Sequence, residues 1–135
     1  MNKRDRTPSL TDEPKVPAQV GRRPGTVHRL GAYTTVRLAT AGPAPMTVFV
    51  AGDIDLACAD ELARVLCTAL DTHPQGIRLD LTSVRFLDCC GLRALMVARA
   101  SAERHGRHFG LGPHSSSVAR LLELTGTGSL LAAAR

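Results

Sequence analysis

The chain has 135 residues, 44% of them apolar and 3% aromatic, with no tryptophan and a formal net charge of +5. That is enough for one domain with a real core, which must be aliphatic, and too few aromatics for the stacking platforms of single-strand nucleic-acid binders. Seven bases and three acids lie before Gly31, so most of the positive charge belongs to the N-terminal stretch and says little about the folded part.

Residues 1–30 are polar, basic and interrupted by Pro8, Pro14, Pro17 and Pro24, with no apolar period. A disordered arm, dispensable for folding, is expected there, with the domain occupying residues 31–135. The start of the chain lacks an apolar leader and no run approaches membrane-spanning length, so a soluble cytoplasmic protein with no membrane partner is expected.

Tyr33 to Thr40 alternates as a strand, and Ala41-Gly42-Pro43-Ala44-Pro45 reads as a turn. Met46 to Ala51 is a second strand, antiparallel to the first across the short connection. Gly52-Asp53-Ile54-Asp55 follows as a loop, its paired carboxylates suited to capping a helix; without a third ligand they do not make a metal site. A helix is predicted from Ala57 to Thr72, with Leu62, Val65, Leu66, Ala69 and Leu70 as its apolar stripe.

The next stretch organises the chain. Ile77, Leu79 and Leu81 alternate with Arg78 and Asp80, which predicts a strand. A turn at Thr82-Ser83 and a short apolar run at Val84, Phe86 and Leu87 are expected after it. Asp88 then stands where a helix N-cap belongs, and Leu92, Leu95, Met96 and Arg99 carry helical spacing to about Arg104. Cys89, Cys90 and Gly91 therefore sit where a strand hands over to a helix N-terminus, an edge that favours anions. Such a handover also needs small residues for steric reasons alone.

His105-Gly106 ends that helix, His108 to Gly112 reads as a short strand, and Ser115 or Ser116 caps a third helix with Val118, Leu121, Leu122 and Leu124 as its apolar face. A final helix is expected over Ser129 to Ala134. The order strand, strand, helix, strand, helix, strand, helix predicts an α/β domain with parallel strands joined by right-handed crossovers. The cysteines Cys58, Cys67, Cys89 and Cys90 form no C-x-x-C pair and have no histidine cluster beside them, so neither a metal nor a disulfide framework is expected, and no cofactor is called for.

Three stretches resemble the STAS domain of bacterial anti-sigma-factor antagonists. Gly52-Asp53-Ile54-Asp55-Leu56 is similar to that family's Gly-Glu-Leu-Asp loop. Leu79-Asp80-Leu81 through Phe86-Leu87-Asp88-Cys89-Cys90-Gly91-Leu92 is similar to its Asp-Leu followed by Asp-Ser-Ser-Gly-Leu. Ser117 to Gly126 is like its C-terminal helix. The resemblance covers about residues 33–132. It implies a STAS-like single α/β domain with a mixed, mostly parallel sheet and helices packed against it, and a protein that is not an enzyme.

It also implies a function. Members bind an anti-sigma factor that is a serine kinase with a histidine-kinase-like ATPase fold, and so free a sigma factor without contacting nucleic acid directly. The kinase phosphorylates the first serine after the aspartate, and the phosphoprotein lets go. Here Cys89 stands at the acceptor position and Cys90 at the second small residue. Asp88 matches the preceding acid and Asp55 the loop acid. The implied partner surface comprises Asp53, Asp55, Asp88, Cys89, Cys90, Gly91 and Arg93. A thiol is not an ordinary serine-kinase substrate. A redox-responsive or non-switching interaction module using Cys89 and Cys90 is the alternative, and a thiol enzyme would need a histidine that no spacing supplies.

Overall fold

The computed structural model describes residues 26–40 and 44–131. Within them a mixed sheet has five strands in spatial order β1-β2-β3-β4-β5: β1 Val27–Leu30, β2 Thr34–Ala39, β3 Met46–Ile54, β4 Ile77–Leu87 and β5 Phe109–His114. The β1/β2 and β2/β3 pairs are antiparallel; β3/β4 and β4/β5 are parallel. Two long helices, α1 (Leu56–Thr72) and α2 (Cys89–Arg104), make the parallel crossovers, and α3 (Ser116–Thr125) and α4 (Gly128–Leu131) follow the last strand. No helix among the described residues is long and apolar enough to cross a membrane.

Four expectations need correction. The arm expected over residues 1–30 reaches too far: Val27–Leu30 is the edge strand, and Leu30 is 1% exposed within the core. The remainder of that arm, residues 1–25, lies outside the described residues, as do residues 132–134 of the last expected helix. The second strand does not stop at Ala51 but runs through Gly52 and Asp53 to Ile54. Gly52 permits this, because at φ 102° a side chain there would collide with the carbonyl of Tyr33. The expected strand of His108 to Gly112 is Phe109–His114, and Pro113 falls at its irregularity, where a missing N–H is tolerated.

The fourth correction concerns β4. There is no break at Thr82-Ser83; the strand continues for 11 residues. Pairing jumps from Phe49↔Asp80 to Ala51↔Ser83, and from Gly52↔Val84 to Asp53↔Phe86. Each jump inserts one extra residue into β4, as in a β-bulge. The bulges convert a spacing of three into a common inward face, so Leu81, Val84 and Leu87 are all buried. The Asp80 carboxylate accepts the Thr82 N–H at 3.0 Å at the first of them.

One core joins the sheet to the helices. Ile54, Leu79 and Leu81 of the strands meet Leu62, Leu66 and Leu70 of α1, Leu95 and Ala98 of α2, and Val118 and Leu122 of α3. The α1 stripe is as expected from spacing, with Val65 only half-buried and Cys58 and Ala59 added to it. Leu30→Ala and Leu66→Ala, both truncations of fully enclosed leucines, should each destabilise the domain by about 2–5 kcal/mol. Urea unfolding checks this; a loss below about 0.5 kcal/mol for Leu30→Ala, the size of an ordinary surface change, would take β1 out of the folded domain.

Candidate functional site

The parallel pair β3/β4 ends in step: Ile54 is the register partner of Leu87. The next residue of each strand is an aspartate, and each is a helix N-cap. Asp55 accepts the Ala57 N–H at 3.0 Å, and Asp88 accepts the Gly91 N–H at 2.9 Å. The Asp88 N–H itself donates to the Ile54 carbonyl at 3.2 Å, tying the two handovers together. Both helix N-termini thus emerge side by side from the same end of the sheet. Sequence spacing alone separates these caps by more than thirty positions.

The expected site residues divide by what they do here. Cys89, the first residue of α2, is exposed, and Arg93 is exposed one turn later. Cys90 is half-buried and packs against the core, which gives it a structural duty that Cys89 lacks. Gly91 is buried, and a side-chain carbon there would lie 2.8 Å from Ile54 Cγ2 and 2.5 Å from Leu87 Cδ1. Its missing side chain lets α2 start directly against the strand ends. Asp53 is part of β3 and forms an ion pair across the sheet with Arg85, 3.3 Å between Oδ1 and Nε. Arg85 is well exposed, so the pair is worth little to stability.

Three apolar residues at this end are exposed, which residue order alone does not reveal. Leu56, the first residue of α1, is 75% exposed; Phe86 is 50% and Tyr33 69% exposed. Phe86 pairs with Asp53 in register, and the Tyr33 carbonyl accepts the Asp53 N–H. Phe86 falls in the bulged part of β4, where period-two reading assigns the wrong face. Apolar groups gathered around polar ones on a surface are typical of a protein docking site.

Beneath the site, the Thr34 hydroxyl donates to the Asp53 carbonyl and lies 3.3 Å from the buried Cys58 thiol. Among the described residues no three histidine, cysteine or acidic side chains gather as metal ligands. Gly91→Ala should cost about 1–3 kcal/mol through overpacking, and thermal or urea unfolding measures it. Unchanged stability would mean that α2 does not start against Ile54 and Leu87 as described.

A family model described as Mlab, STAS domain matches residues 38–132. The crystal structure of an anti-sigma factor antagonist from Mycobacterium paratuberculosis superposes with a TM-score of 0.64 at 23% identity, covering 73% of this chain and 82% of that one. The structure of the anti-sigma factor antagonist SpoIIAA in its unphosphorylated form superposes with a TM-score of 0.60 at 16% identity, covering 70% of this chain and 83% of that one. The α/β sheet, the two capped helices at its end and the match over residues 38–132 agree: the chain belongs to the STAS domain family.

Proposed function

We propose that this protein is an anti-sigma factor antagonist. In this reading it binds an anti-sigma factor of the serine-kinase type, with a histidine-kinase-like ATPase fold, and so releases a sigma factor for transcription. It acts in the cytoplasm as a binding module rather than an enzyme, and Cys89 replaces the phosphoacceptor serine. The observation that carries the reading is the exposure of Cys89 at the head of α2, next to the capped head of α1. Two solved structures of similar fold are of anti-sigma factor antagonists, which supports the same role, and the family match to a STAS domain is in keeping with it.

The partner surface on this reading comprises Asp53, Asp55, Asp88, Cys89, Cys90, Gly91 and Arg93, and the exposed Leu56 and Phe86 supply apolar anchors beside them. Asp55 and Asp88 spend one carboxylate oxygen each on a helix amide, so their charges are fixed in place. A phosphate on residue 89 would add about −1.5 to −2 charges next to these two acids. Repulsion from an acidic partner surface would then drive release, and a thiol at position 89 removes that means of release.

Cysteine and serine are close in size, so Cys89→Ser should fold without strain at this exposed position. Incubated with its serine-kinase partner and radioactive ATP, the natural chain should bind and take no label. Cys89→Ser should take label, and the labelled form should bind less tightly. Labelling of the natural chain on another hydroxyl, or a Cys89→Ser chain that binds and stays unlabelled, would refute the assignment of position 89.

The apolar anchors give a second test. Leu56→Ser and Phe86→Ser should leave stability within about 0.5 kcal/mol, as exposed changes do. Each should weaken partner binding by roughly tenfold, the scale of an interface anchor worth more than about 1 kcal/mol. Titration calorimetry decides it; unchanged affinity in both variants would move the partner surface elsewhere. Asp55→Asn keeps the cap and removes the charge, which makes it a cleaner probe of the acid than a charge reversal.

A further inference from the structure

Aromatic side chains are scarce in this chain: one tyrosine and three phenylalanines. Phe49 and Phe109 are buried, whereas Tyr33 and Phe86 are exposed. Both exposed rings belong to residues that flank Asp53. Phe86 is its register partner on β4, and the Tyr33 carbonyl, in the turn between β1 and β2, accepts the Asp53 N–H at 3.2 Å. Aromatic residues are enriched where protein interfaces concentrate their binding energy, and this chain sets its two exposed ones together beside the capped helix heads.

The base beneath Tyr33 is built from buried polar groups. Thr34, the next residue, is 2% exposed, and its hydroxyl donates to the Asp53 carbonyl. That bond uses the one hydroxyl proton, so the buried Cys58 thiol, 3.3 Å away in α1, is the donor to the Thr34 oxygen. Valine has nearly the same shape and no polar group to satisfy, so packing alone does not ask for a hydroxyl here. The relay from thiol to hydroxyl holds the carbonyl of Asp53 while the Tyr33 carbonyl holds its N–H. The β1–β2 turn, the end of β3 and the head of α1 are thereby joined at one residue. A buried network whose members are all satisfied rigidifies what it holds.

Resting on the functional reading above, we propose that the Tyr33 ring is a third anchor of the partner surface, taken up by an apolar socket of the anti-sigma factor beside the one that takes Phe86. Thr34 and Cys58 are its positioning residues: they touch no partner and act by holding the turn that carries Tyr33 against Asp53. A ring set in place before the partner arrives loses less freedom on docking.

The test uses the full chain and calorimetry with the same serine-kinase anti-sigma factor that probes Leu56→Ser and Phe86→Ser. Tyr33→Ala removes an exposed ring and leaves the backbone bond to Asp53 in place. It should weaken binding by about tenfold or more, with Tyr33→Phe within about threefold of the natural chain. Thr34→Val should weaken binding by about threefold or more, and Thr34→Ser, which keeps the hydroxyl, should restore it. In the Thr34→Val background the loss caused by Tyr33→Ala should shrink, because a ring no longer held contributes less; a role for Thr34 in packing alone would leave the two effects additive. Normal binding by Tyr33→Ala, with Leu56→Ser and Phe86→Ser impaired, would overturn Tyr33 as an anchor and leave the functional reading standing. Additive losses in the double variant would overturn the positioning role of Thr34. A natural chain that does not bind would overturn the functional reading and this inference with it.

Discussion

The Asp88 N–H donates to the Ile54 carbonyl, and around that bond two strands end together and two helices begin. Parallel pairing brings Ile54 beside Leu87, and an aspartate after each residue caps the following helix. Gly91 then has to be a glycine, because α2 starts in contact with Ile54 and Leu87. The consequence is a rigid end to the sheet on which one thiol, Cys89, and one apolar side chain, Leu56, occupy the first positions of adjacent helices. Binding geometry held by backbone bonds and caps costs little ordering when a partner arrives.

Much of this end was readable from residue order. Asp88 before Cys89-Cys90-Gly91 and a helical period announced a capped helix, and α2 spans Cys89–Arg104 as its spacing predicts. Asp55 as a cap was equally legible. What could not be read was the behaviour of β4. Leu81, Val84 and Leu87 are three apart, which looks like a turn, and only pairing with β3 shows that two extra residues restore a common buried face. The exposure of Phe86 follows from the same bulges. β1 is not legible in the sequence because four residues with a single buried leucine carry no period, and the strand exists through its partner β2.

Cys89 is where the local chemistry and the family pattern diverge. The surroundings of Cys89 are a helix N-terminus, the buried Gly91 two residues on, and the capping acid Asp88, with the Asp55 cap on the adjacent helix. On the proposed reading only the hydroxyl is missing, and Cys90, a second thiol that packs against the core, does not supply it. On the proposed reading the binding surface and the release mechanism are separable, since the first rests on backbone geometry and the second on one side-chain atom.

The most direct measurement is a chemical-shift titration of the isotope-labelled chain with the serine-kinase anti-sigma factor proposed as its partner. The account predicts that perturbed amides concentrate in two short stretches far apart in sequence, Asp53–Ala57 and Phe86–Arg93, with the opposite end of the sheet around Met46 and Ile77 unmoved. Perturbations centred on that opposite end, or on α3, with the Asp55 and Cys89 amides unchanged at saturation, would contradict it.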